Sequence, residues 1–335
     1  MDVLVLSMKG NRGVVTYALK GDGTLQEKYQ LPAPAPMYAC EHGNKLYLAL
    51  REPFGEAQSG VIAAEYTGSA PGPLIGDPLD CNGRIACHIA VSPDGKHLLT
   101  ANYRTGSVSD FALDADGNIL SHLGNLDFPT LSKGKIPHSH GVFFTQDGTV
   151  CLPDLGNDCI FLLSKIENHD LRHVDFPDGS GPRHMAFSPD GKYAYLVCQN
   201  SSEVYTLAVG DGSWKIMSVV KLVSGEVKNQ SSAIRISNDG RYIYVSNRGA
   251  DTISCLKLAD GIPALIGDVP CSRNPRDFDL SPDGRWLVLG NMDDDTIAVY
   301  ALDPENGLPE LKHKIGFETP VAVMFPRGDS HEVGN

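Results

Sequence analysis

The sequence predicts an all-β fold: a seven-bladed β-propeller of four-stranded antiparallel blades, formed by residues 1–335 as a single domain, with N- and C-terminal strands closing the ring in one blade. Three observations predict it. A Ser/Thr-x-Asp-Gly turn recurs along the chain, short apolar runs flank each copy, and the two ends carry complementary fragments of one further unit.

The turns read SPDG (92–95), TQDG (145–148), SPDG (188–191), SNDG (237–240) and SPDG (281–284). Their aspartates are spaced by 53, 43, 49 and 44 residues. Asp-Gly between two apolar runs marks a tight turn, because Gly accepts positive φ and Asp bonds its own backbone. One run precedes each turn (HIAVSP, GVFFTQ, MAFSP, IRISN, DFDLSP) and an alternating or aromatic run such as KYAYLV, RYIYVS or RWLVLG follows. A third run comes next: SVSDFAL, CIFLLS, EVYTLAV, TISCLKL or TIAVYAL. Each unit is therefore a small meander. A weaker copy, HGNKLYLAL at 42–50, makes six. The seventh is split: DVLVLSMK and GVVTYALK supply middle strands, and ETPVAVMF (318–325) supplies the missing first one. Joining the termini in one blade removes open sheet edges. Seven units in 335 residues average about 48 residues each, a propeller-sized repeat.

Composition excludes several function classes. The formal net charge of −13 argues against nucleic acid or an acidic membrane as partner. No apolar run approaches the roughly 18 residues of a bilayer span. The start, MDVLVLSMKGNRG, lacks the basic leader of a secretory signal. Eight cysteines carry no CxxC pair, and several lie in strand-like apolar runs. They suit buried thiols in a reducing compartment. A cytoplasmic monomer is expected.

Counting outward from the turn aspartates locates a site. Seven residues before them stand Cys87, His140, Arg183, Ser232 and Arg276, with His88 and His184 one later than two of these. Eight residues after them stand Asn102, Cys198, Asn247 and Asn291, with Asp154 one earlier in the shorter hairpin; the next position holds Tyr103, Gln199, Arg248 and Met292. Both offsets fall at the hairpin end far from the turn, so these side chains gather on one rim at the mouth of the channel. His138 joins them through the His138-Ser139-His140 alternation. The turn aspartates are structural. The asparagines either bind ligand or satisfy loop backbone groups.

Three guanidiniums with several imidazoles in a concavity form a binding site for a small anionic metabolite, since arginine forks match carboxylate and phosphate oxygens. A histidine beside them can act as base toward water or acid toward an alkoxide, and the arginines can hold an oxyanion. This set serves ester-carbonyl chemistry without a cofactor. No metal is expected: the arginines oppose a dication and spacing fixes no third ligand. No Gly-rich phosphate loop opens a helix, and there is no nucleophile elbow.

ACHIAVSPDGKHLLTANY, PHSHGVFFTQDGTVCLPDLGND, GPRHMAFSPDGKYAYLV, AIRISNDGRYIYVSNRG and NPRDFDLSPDGRWLVLGN together resemble the lactonase family of seven-bladed propellers, from about residue 80 to 300. That family includes propeller-type 6-phosphogluconolactonases and carboxy-cis,cis-muconate cyclases. The resemblance implies a catalytic set of His140, Arg183, Gln199 and Arg248. It also matches further rim positions at His88, His138, Asp154, Arg276 and Asn291, which with the rim residues Asn102, His184 and Asn247 make up the expected substrate-binding set. Where the family usually reads Asn-Glu, this chain has Cys198-Gln199. An amide cannot act as general acid or base. Hydrolysis of an anionic sugar lactone, with 6-phosphogluconolactone foremost, is the implied activity. The alternatives are lactonising chemistry on a carboxylated muconate and a non-catalytic propeller that binds a small anion.

Overall fold

The computed structural model describes residues 1–9, 12–68, 70–166, 170–210, 214–225 and 227–327. They form seven four-stranded antiparallel sheets. The first blade spans residues 36–84 (β4 to β7), the second 86–127 (β8 to β11) and the third 143–175 (β12 to β15). The fourth spans 182–221 (β16 to β19), the fifth 230–270 (β20 to β23) and the sixth 275–316 (β24 to β27). The closing blade has the order β28-β1-β2-β3, with β28 (Pro320–Met324) innermost beside β1 (Asp2–Ser7), then β2 (Val14–Leu19) and β3 (Leu25–Leu31). Leu4 faces Met324 and Val5 faces Val323, so the split unit assembles as its two ends predict.

The recurrent turn explains the hairpins. In the second blade the Ser92 hydroxyl donates to Asp94 at 2.6 Å and accepts the His97 N–H at 3.0 Å, while Gly95 takes φ +70°. The same hydroxyl–carboxylate bond recurs at Ser188, Ser237 and Ser281. Between blades, side chains from both faces meet. Phe143, Ile160 and Leu162 of the third blade pack on Met185, Leu196 and Leu207 of the fourth. A strand buried on both faces reads as a continuous apolar run, as Ala194–Cys198 does.

One irregularity positions the site. Near the start of every inner strand the chain holds one residue more than its neighbour. Pro182 faces Cys198 and His184 faces Val197, leaving Arg183 unpaired. Arg276 is extra between Pro275 and Asp277, Cys87 between Ala86 and His88, Met37 between Pro36 and Tyr38, and Val321 between Pro320 and Ala322. Ser231 to Ile234 likewise opposes Asn247 to Val245. Such a bulge re-aims a side chain. The residues seven before each turn aspartate are these bulge residues, and the bulges set Arg183 and His184 together against the channel.

Closure has a polar lock. The inward edge of β28 offers two free N–H groups, and Val323 donates to Asp277 at 3.0 Å and Phe325 to Asp279 at 2.7 Å. Arg235 lies against both carboxylates at 3.3 and 3.5 Å, and Arg327 reaches Asp279 at 3.0 Å. Arg235 also donates to the Tyr38 hydroxyl of the first blade at 3.2 Å. The fifth, sixth, closing and first blades are thereby joined across the channel. Asp279→Ala leaves Arg235 short of a buried partner and Phe325 without an acceptor. It should lower stability by about 3–5 kcal/mol, read as a shift of the urea midpoint.

Candidate active site

The mouth is built from the bulges inward. Arg183 and His184 come from β16 (Pro182–Phe187), His88 from β8 (Ala86–Val91) and Arg276 from β24 (Pro275–Leu280). Arg248 ends β21 (Tyr242–Arg248), and Gln199 follows β17 (Tyr193–Cys198) directly. His138 and His140 lie on the extended segment before β12 (Phe143–Phe144). That segment is tied to the end of the next strand: His140 N–H donates to the Pro153 carbonyl and Leu155 N–H to the His138 carbonyl, both at 3.0 Å.

The rings form a continuous arc. Tyr38 stacks on His88 with centroids 4.3 Å apart, His88 meets His184 edge-on at 5.3 Å, and His184 meets His140 at 5.5 Å. Tyr103 then touches His140 at 5.5 Å and stacks on His138 at 4.6 Å. The arc is aromatic, and the guanidiniums complete the site. The equivalent bulges of the first and closing blades carry Met37 and Val321, both buried and apolar.

Electrostatics here are unusual. Burial, then the charges of Arg248 and Arg276, disfavour the Arg183 cation, and burial does the same to Arg276. Burial and Arg276 draw Arg248 down to about 9. Burial, reinforced by Arg183, holds His140 and His184 well below the ordinary imidazole value. Burial with Arg235 takes His88 down to about 3. The His88 Nδ1 accepts the Val142 N–H at 3.4 Å, which leaves the proton on Nε2. His138 is the reverse, because its Nδ1 lies 3.0 Å from the Tyr103 carbonyl and must donate.

Six buried polar atoms cluster with no hydrogen-bond partner in the described protein: Arg183 Nε and Nη1, both His184 nitrogens, His88 Nε2 and His140 Nδ1. Buried polar atoms are otherwise nearly always paired, so such a concentration marks the place where a ligand or water belongs. Gln199 is only partly committed: its Oε1 accepts Arg248 Nη2 at 2.7 Å. A neutral amide leaves that guanidinium's charge uncancelled. Among the described residues no group of acidic, histidine and cysteine side chains could hold a metal ion.

Of the residues implied by sequence, the structure brings together His88, His138, His140, Arg183, His184, Gln199, Arg248 and Arg276. Asp154 and the three asparagines stand apart. Asp154 Oδ1 accepts the N–H groups of His138 (2.7 Å) and Gly156 (2.9 Å), and its Oδ2 accepts Asn157 Nδ2 at 2.7 Å. It clamps the histidine segment rather than facing the mouth; burial raises its pKa despite these donors. Asn102 donates to Ser109 at 2.7 Å, Asn247 to Ser254 at 2.8 Å and Asn291 to Thr296 at 3.3 Å, all third-strand hydroxyls of their own blades. These asparagines tie strand ends inside the blade. Sequence reasoning passed over Tyr38 as a site residue; its position after a Pro-x pair, matching Pro182-Arg183-His184, is the signal that marks it.

Fold and site together are those of a seven-bladed propeller with a histidine- and arginine-lined channel mouth. The model of the family described as "Lactonase, 7-bladed beta-propeller" matches residues 5–325, and the chain belongs to that family. It is similar to the 6-phosphogluconolactonase of Bacillus subtilis, 30% identical over 94% of this chain and 95% of the relative. A 6-phosphogluconolactonase of Formosa agariphila is 32% identical over 74% of this chain and 76% of its own. The solved periplasmic gluconolactonase of Pseudomonas aeruginosa superposes with a TM-score of 0.87 at 24% identity, covering 96% of this chain and 98% of that one, a likeness of fold. No helix among the described residues is long and apolar enough to cross a membrane.

The depressed imidazoles make stability pH-dependent. Unfolded, each returns to a value near 6.5. Above that pH both states are neutral; below it the unfolded chain takes up protons that the folded chain refuses. Stability is therefore full above pH 6.5 and falls as the pH drops toward the folded values. The slope is up to ~1.4 kcal/mol per pH unit for each imidazole. Urea unfolding across this range should show it, and His88→Phe should flatten the slope by one proton.

Proposed function

We propose that this protein hydrolyses 6-phosphogluconolactone to 6-phosphogluconate, without metal or cofactor, in the arginine- and histidine-lined mouth. The observation that carries the reading is the cluster of unpartnered buried atoms on Arg183, His88, His140 and His184, which calls for an anionic, oxygen-rich ligand. The names of the Bacillus subtilis and Formosa agariphila relatives support the same substrate.

In this reading Arg276 holds the phosphate, Arg183 faces the lactone carbonyl, and Arg248, held by Gln199, adds to the positive field of the mouth. His140 takes a proton from water as the water oxygen bonds to the carbonyl carbon. The carbonyl electrons move to oxygen, and the oxyanion is held by Arg183. Collapse of the tetrahedral centre breaks the bond to the ring oxygen, which receives the proton from His140. The new carboxylic acid then ionises to solvent. Burial and neighbouring arginines make free His140 a weak base. A dianionic phosphate offsets those arginine charges, so binding raises the base strength of His140 toward the useful range. Gln199 orients Arg248 and takes no proton.

All eight cysteines are free and six are buried, which supports a reducing, cytoplasmic setting. A monomer suffices, because the ring closes within one chain.

Loss of freshly prepared 6-phosphogluconolactone near neutral pH, against the spontaneous rate, tests the reading. Arg183→Ala should reduce kcat by about 10²–10³-fold, the usual effect of removing an oxyanion donor, with the fold retained. His140→Gln should lower kcat rather than raise KM. An unchanged rate in Arg183→Ala, or a silent wild type rescued by Gln199→Glu, would overturn it.

A further inference from the structure

The second strand of each blade ends at an equivalent rim position. At six of the seven, the N–H of the residue there returns to a carbonyl at the entry of the inner strand. These are Met8 to Thr319 (3.2 Å), Arg51 to Ala35 (3.0 Å), Tyr103 to Ile85 (2.9 Å), Leu155 to His138 (3.0 Å), Gln199 to Gly181 (2.7 Å) and Met292 to Asn274 (2.9 Å). Arg248, opposite Gln230, holds the position in the fifth blade.

Three of these residues demonstrably turn into the mouth. Tyr103 packs on His138 and His140, and Gln199 is bonded to Arg248. Arg51 occupies the same place in the first blade. It is half-buried, and among the described residues no carboxylate pairs with its guanidinium. The Arg51 charge acts on Arg276 of the sixth blade and disfavours that cation after burial does. Only the closing blade stands between them, and it presents Val321 at the bulge and Met8 at the rim. Arg51 and Arg276 thus flank the apolar stretch that the closing blade gives the mouth; Asp277 also acts on Arg276, but among the described residues neither guanidinium forms an ion pair with a carboxylate. Such a pair is a natural fork for the oxygens of one phosphate.

We infer that Arg51 and Arg276 form a distal phosphate subsite, with Arg51 the residue that selects phosphorylated over unphosphorylated sugar acids and lactones. The inference rests on the lactonase reading for its substrate and on ring geometry for its place. In 6-phosphogluconolactone the ring oxygen and the exocyclic carbon separate the reacting carbonyl from the phosphate. A two-ended site across the mouth accommodates that spacing.

Binding separates this inference from the activity itself. Calorimetric titration of 6-phosphogluconate and gluconate into wild type, Arg51→Ala and Arg51→Glu isolates the phosphate contribution. The expected result is a loss of about tenfold or more for 6-phosphogluconate in Arg51→Ala, a larger loss in Arg51→Glu, and a fall in the 6-phosphogluconate-to-gluconate affinity ratio. Arg51→Lys should restore part of that ratio. Affinities for 6-phosphogluconate within twofold of wild type in both variants would overturn the subsite, even if the lactone is hydrolysed. Loss of binding in Arg51→Ala alongside a wild type that turns over no lactone would sustain the subsite and overturn the reaction.

Discussion

The ring is held shut by two carboxylates. Asp277 and Asp279 accept the inward N–H groups of Val323 and Phe325, which have no fifth strand to pair with. Every inner strand of a propeller faces this problem, since its channel edge is a row of unpaired backbone groups. Here the answer does a second task. Arg235, brought in to balance the carboxylates, reaches Tyr38, and Tyr38 supports His88. The lock that closes the ring is therefore also the floor on which the ring arc rests. Burial works against the Arg235 charge, but Tyr38, Asp277 and Asp279 more than compensate, so this cation stays firmly protonated.

Above the floor the balance is reversed. Among the described residues neither Arg183 nor Arg276 forms an ion pair with a carboxylate, and Arg248 leans on a neutral amide. Guanidiniums left unpaired at a buried site destabilise the free protein and reward an anion that enters. A chain with net charge −13 has thus gathered uncancelled positive charge at one end of its channel. Local field, not net charge, governs what such a mouth attracts. Placing the imidazoles beside these cations keeps them neutral, able to accept protons when an anion relieves the field.

The inner-strand bulges connect these electrostatics to the backbone. Without the extra residue, a strand's side chains alternate strictly and Arg183 and His184 would face opposite sides. The bulge turns consecutive positions to the channel and doubles the chemistry each blade contributes. Family membership is consistent with this economy: the scaffold is common to the relatives, and the chemistry lies in which side chains fill the bulge and rim positions.

The sequence by itself determined the fold, because the signals for it are local. A Ser-x-Asp-Gly turn, its flanking apolar runs and a fixed spacing are all contained within one hairpin. The split seventh unit was legible for the same reason, as were the bulge positions that carry His140, Arg183 and Arg276. What only the tertiary structure decided were relations between blades. Asp154, Asn102, Asn247 and Asn291 lie at the predicted strand ends, yet both oxygens of Asp154 and the amide N–H groups of the three asparagines are taken up by the chain itself. Tyr38, Arg51 and Arg235 gain their meaning from partners far away in sequence: Tyr38 and Arg235 are 197 residues apart. Hairpin periodicity reports which end of a blade a residue occupies. It carries no record of whether a neighbouring blade offers that residue a partner, and that difference separates a structural amide from an open guanidinium.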